Sequence, residues 1–122
     1  MAVTDILISG ENALVRRNLL AEDGVTPVPL SSLQALSVEV YQYGRLKNTF
    51  VHTPTPAPVQ TEIRQGPGGT NQVEVEITPT VGLTFREGSV DFKIIAEQTA
   101  ASFATYGKLK DIDKFVGFTV QI

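Results

Sequence analysis

The chain has 122 residues, 42% of them hydrophobic, with one histidine and no cysteine. That suits one domain with its own core, and it removes disulfides, thiolate metal ligands and thiol nucleophiles together. Ten basic residues against thirteen acidic ones leave a net charge of -3, the wrong sign for tracking a nucleic-acid backbone, and no apolar run approaches the ~20 residues of a membrane helix.

Taken in chain order, Ile6-Leu7-Ile8 is too short for a signal-peptide core and lacks a basic flank. Ala13–Leu20 reads as a strand, although Leu14, Val15, Asn18 and Leu19 also fit a helical face. Asp23-Gly24 and Val28-Pro29 punctuate the next connection. Leu36–Tyr43 alternates, with Leu36, Val38 and Val40 as an inner row and Tyr41 and Tyr43 on the opposite face. Two tyrosines on one strand face suggest a contact surface, or alternatively something folded over them. Tyr43-Gly44 makes a tight turn into a short strand at Leu46–Val51.

Thr53-Pro54-Thr55-Pro56-Ala57-Pro58 is expected to be extended, since each proline fixes its own φ and biases the residue before it. Gln65–Asn71, with Gly66, Pro67, Gly68 and Gly69, reads as the most flexible stretch. The two bracket a strand at Val59–Ile63, so residues 53–71 read as a projecting hairpin or arm. Gln72–Thr78 is the clearest strand: Val73, Val75 and Ile77 face inward, and Glu74 and Glu76 face a solvated outer side. Arg86-Glu87-Gly88 precedes a strand at Val90–Ala96. Gln98–Tyr106 reads as a short helix ended by Gly107, or as a loop, and Phe115–Ile122 is a last strand. Short alternating segments with polar punctuation argue for an all-β domain, a two-sheet antiparallel sandwich spanning residues 1–122. A chain that stops on a strand is expected to be a complete domain.

The residues for chemistry are few. His52 is the one possible imidazole base, it precedes the proline stretch as a loop histidine would, and no Gly-x-Ser-x-Gly elbow is present. Asp111 and Asp113 lack the glycine and distal glutamate of a calcium loop, and Gly66–Gly69 lacks the lysine of a phosphate loop. Arg16-Arg17 and Lys108/Lys110/Lys114 read as ordinary solvated charge. No enzyme activity and no cofactor is expected. Carbohydrate stacking on Tyr41 and Tyr43 is the alternative to a protein contact.

Two segments carry a resemblance. Glu22–Leu33, followed by the Leu36–Tyr43 strand, resembles the opening of immunoglobulin-like domains in tailed-phage virion proteins. Val75-Glu76-Ile77-Thr78-Pro79-Thr80-Val81-Gly82-Leu83, then Glu87–Ile94, resembles the strand, Thr-Pro turn, hairpin and next strand of the same domains. The N-terminal domain of phage baseplate upper proteins is the comparison. Val90 stands where an aromatic is commoner, and the proline and glycine stretches are additions. The resemblance implies an immunoglobulin-like sandwich and a structural subunit of a virion, in a neck, tail, baseplate or capsid-decoration position. Its partners would be other virion proteins and copies of itself. Residues 1–10, His52, Pro54, Pro56, Pro58, Gly66, Pro67, Gly68, Gly69, Tyr41 and Tyr43 would then make the contacts, and no active-site residue is carried over.

Overall fold

A computed structural model of the chain describes residues 3–4, 6–8, 11–52, 62–77, 85–107 and 110–121. Among these, strands form two sheets. The larger runs in the order β1 (Ile6–Ile8), β8 (Lys110–Gln121), β7 (Gly88–Gln98), β3 (Leu33–Gln42), β4 (Arg45–His52). The smaller runs β2 (Ala13–Asn18), β6 (Gln72–Ile77), β5 (Ile63–Gln65).

Alternation builds both. On β3, Leu36, Val38 and Val40 are buried while Ser37, Glu39 and Tyr41 are half-covered. Val90, Phe92, Ile94 and Ala96 do the same on β7, and Val73, Val75 and Ile77 on β6. These rows meet Phe50, Phe118, Ile63 and Val15 in one core shared by the two sheets. Phe92 lies at its centre, stacked on Phe115 with centroids 5.8 Å apart and edge-on to Phe118 at the same distance, the offset and tilted geometries that aromatic quadrupoles favour. The all-β, two-sheet expectation is met.

Several details differ from the sequence reading. The pairing is not wholly antiparallel, because β1 runs parallel to β8, with Leu7 beside Val120. Residues 6–8, within the segment expected to reach a neighbour, therefore close an edge of the chain's own larger sheet. Strand β8 starts at Lys110 rather than Phe115. Its first residues are charged, and backbone pairing of Asp111 with Ala96 and Asp113 with Ile94 extends the ladder without apolar help. Residues 13–18 are strand and not helical turn, aligned against β6 from Ala13–Ile77 to Asn18–Gln72. The short helix exists as α1 (Ala100–Tyr106), with the Thr99 hydroxyl accepting from the Ser102 amide and Gly107 closing it at φ 83°.

Residues 62–71 are no arm. Ile63 is fully buried and paired with Val75, because an apolar side chain next to the core gains more there than in solvent. The glycine stretch is a closed hairpin turn. Gly66 N–H donates to the Gln72 carbonyl at 2.9 Å, and Gly68 N–H donates to Gln72 Oε1 at 2.9 Å. A Cβ at Gly66 or Gly68 would collide with the Gln72 side chain, so that close approach is what the two glycines permit. Pro54, Pro56, Pro58, the strand expected at 59–61 and the Thr-Pro turn within 78–84 lie outside the described residues.

Candidate interaction surface

Tyr41 and Tyr43 do not share a face. Tyr43 falls beyond β3, at φ 51°, and forms with Gly44 at φ 75° the two-residue turn into β4. Both φ values are positive, which is what the right-handed twist of a two-residue hairpin asks for. The turn swings the Tyr43 ring towards β7, where its hydroxyl donates to the Glu87 carbonyl and the ring lies over Gly88. Beside it, buried Gln42 behaves like a strand residue. Its amide donates to the Arg86 carbonyl at 2.6 Å and accepts from the Arg86 N–H at 2.8 Å. Tyr41 alone stays on the sheet, donating to Glu39 Oε1 at 3.0 Å, a bond that raises the phenol's pKa.

The outer side of the larger sheet is ordered in rows across the strands. One row reads Val51, Ser37, Ile95, Ile112; the next Thr49, Glu39, Lys93, Lys114; the third Leu46, Tyr41, Asp91, Val116. Towards β1 the same side ends on Ile6 and Ile8. Ile6, Ile8, Leu46, Val51, Ile112 and Val116 are each about half exposed or more, from 48% to 59%. The middle row is polar, with Lys93 Nζ 3.7 Å from Glu39 Oε1. Between the middle and third rows, Tyr41, Asp91, Lys93, Lys114 and Val116 line an open groove of about 550 Å³.

Tyr41 was legible from the sequence; Ile95, Ile112 and Val116 were missed. The signal for Ile95 and Val116 is the apolar doublet, whereas Ile112 stands alone between Asp111 and Asp113. Phe50-Val51, Ile94-Ile95 and Phe115-Val116 each place one side chain inward and the next outward, so a doublet within a strand marks apolar side chains on both faces.

The smaller sheet's outer side is a charge ladder, and the reading of Glu74 and Glu76 as solvated is wrong. Glu74 is buried, because Arg16 Nε at 2.6 Å and Arg64 Nε at 2.7 Å cover it from the two flanking strands. Arg64 also reaches Glu76 at 2.9 Å. Burial by itself raises the Glu74 pKa, but the hydrogen bonds from Arg16 and Arg64 outweigh it and hold the carboxylate below its ordinary value. Nor is Arg17 ordinary solvated charge. It bonds both oxygens of Asp113, at 2.6 and 3.1 Å, while its guanidinium lies 4.4 Å over the Phe115 ring. Asp113 is thereby committed to a clasp between the sheets. Among the described residues there is no group of three or more His, Asp or Glu placed to hold a metal ion.

His52 is the last residue of β4, paired with Leu36, and not a loop residue. Burial lowers its pKa, and its Nδ1 is covered without a hydrogen-bond partner among the described residues. The Gly66–Gly69 turn lies on the smaller sheet, whereas Tyr41 and His52 lie on the larger. Among the described residues, Tyr41, His52 and the Gly66–Gly69 turn are therefore not brought together, and the outer side of the larger sheet is an extended surface that includes Tyr41. Compared with models of protein families and with curated proteins, the sequence matches none.

Proposed function

We propose that this chain is a non-enzymatic structural subunit that works by packing the outer side of its larger sheet against other proteins. The observation that carries this is the set of exposed apolar residues on that side, Ile6, Ile8, Leu46, Val51, Ile112 and Val116. An antiparallel sheet with one wet side normally alternates apolar with polar, so several large apolar side chains interspersed with charge on that side mark a contact site. The setting comes from the resemblance. It is a bacteriophage or phage-derived particle, with an immunoglobulin-like fold and a neck, tail, baseplate or capsid-decoration position, where repeated copies make individually weak contacts collectively tight.

The test is incorporation of Ile112→Lys and Val116→Lys variants into purified particles, with circular dichroism confirming that each folds. Folded variants missing from particles support the reading, and normal incorporation of both sinks it. Deletion of residues 53–71 would be a poor substitute, because it removes β5 and the buried Ile63.

A second reading rests on the groove beside Tyr41. An aromatic flanked by Asp91, Lys93 and Lys114 has the composition of a small carbohydrate-binding site. It predicts saturable glycan binding that is lost in Tyr41→Ala, and a flat response across a broad glycan array removes it.

A further inference from the structure

We infer that the outer side of the larger sheet receives a second copy of this chain, related by a two-fold axis that runs along the strands between β3 and β7. This rests on the reading of that side as a protein contact surface. The rows are complementary to themselves about that line. Folded over it, Val51 meets the second copy's Ile112, and Ser37 meets its Ile95. In the middle row Glu39 meets Lys93 and Thr49 meets Lys114. In the third, Leu46 meets Val116 and Tyr41 meets Asp91. The row memberships follow from the strand register. The outer apolar pairs fall on one another, Ile95 falls on the small Ser37, and within these three rows each carboxylate falls on an ammonium or a phenol.

Axes that bring β7 onto itself or onto β8, or β3 onto itself, lose this match, and one between β3 and β4 leaves β7 and β8 without a counterpart. An axis along β7 stacks Lys93 on Lys93 and Asp91 on Asp91. One between β7 and β8 stacks Lys93 on Lys114, and one along β3 stacks Glu39 on Glu39. Like charges pressed together and desolvated oppose association. A two-fold interface must be self-complementary, since the same patch serves both sides, and the β3–β7 line meets that condition. Aligned sheets cross at about 30°, so register is kept best near the axis, where Glu39 and Lys93 sit.

The area is sufficient. Strands β4, β3, β7 and β8 have 8 to 12 residues each. Over the stretches that face one another across the line, at ~4.8 Å between strands and ~3.4 Å per residue, they present roughly 500 Å² per copy. The total of roughly 1,000 Å² comes to the size that a specific interface needs.

Sedimentation equilibrium of the full chain over a range of concentrations tests this, with thermal melts confirming that each variant folds. The wild type is expected to be a dimer. Glu39→Lys and Lys93→Glu should each weaken it about tenfold or more, and Ile112→Lys should make it monomeric. An equal mixture of Glu39→Lys and Lys93→Glu should restore dimers holding one copy of each, because both cross-pairs again join opposite charges. Loss of the ion pair within each chain cannot be repaired by mixing, so restoration separates the two roles.

A wild type that stays monomeric overturns the two-fold pairing, while the contact-surface reading is judged separately by particle incorporation. A dimer indifferent to Glu39→Lys and Ile112→Lys uses another face and also overturns it. So does a mixture that fails to recover.

Discussion

Glu74 has an arginine on either side and almost no exposure, so its carboxylate depends on partners that local sequence does not display. Arg16 is 58 residues away and Arg64 ten. Replacing it as Glu74→Gln keeps the shape and removes the charge-assisted bonds. The expected loss is about 1–2 kcal/mol in urea unfolding, below the cost of breaking a fully buried pair because both guanidiniums reach water. The carboxylate's pKa is lowered from its ordinary 4.5. Its stabilisation is therefore present above that value and lost as pH falls through the folded value. The difference between wild type and Glu74→Gln should shrink in acid, and a constant difference would contradict the assignment. Gly117 is a steric case. It is the extra residue where β8 bulges opposite Val90 and Asp91, and a Cβ there would enter the Phe92 ring. Gly117→Ala should cost about 1–3 kcal/mol by overpacking, read as a shift in the urea midpoint.

At the level of elements, the strands were legible wherever apolar and polar residues alternate strictly, as in β3, β6 and the first half of β7. Boundaries were lost where charge interrupts the pattern. Lys110, Asp111, Asp113 and Lys114 hid half of β8, because a ladder is held by backbone bonds that take no notice of side-chain polarity. The tyrosine face was misread for a similar reason. Alternation predicts Tyr41 and Tyr43 on one side, but the turn begins at Tyr43 and removes it from the strand. The clasp from β2 to β8 could not be read at all, since Arg17 and Asp113 stand 96 residues apart. It is measurable by a double-mutant cycle with Arg17→Ala and Asp113→Asn. A coupling of about 0.5–1 kcal/mol is expected for a partly exposed bidentate pair, and additive single effects would dissolve the clasp. Arg17→Ala should cost more than Asp113→Asn, because it also uncovers the Phe115 ring.

For the whole molecule, the shifted groups that titrate between neutral pH and acid share one sign. Asp23, accepting from the Thr26 hydroxyl and from the Thr26 and Val25 amides, falls from 3.8 to about 2. Glu74 is also lowered, and burial lowers His52 from 6.5. A lowered carboxylate stabilises above its ordinary value and stops doing so as pH falls through its folded value. A lowered histidine lets the unfolded chain take up a proton first, so stability also falls as pH drops below 6.5. The urea midpoint should decline from neutral pH into acid, and His52→Gln should flatten the part just below 6.5. A midpoint that rises on acidification would contradict all three directions.

The pairing of β1 with β8 places partners more than a hundred residues apart, Ile6 beside Thr119. On the ribosome β1 must therefore wait for β8, leaving Leu7 uncovered meanwhile. Closing so long a loop is slow compared with forming a hairpin. Refolding in milliseconds to seconds is the consequence, with the β3–β4 hairpin able to form early and the parallel edge sealed at the end.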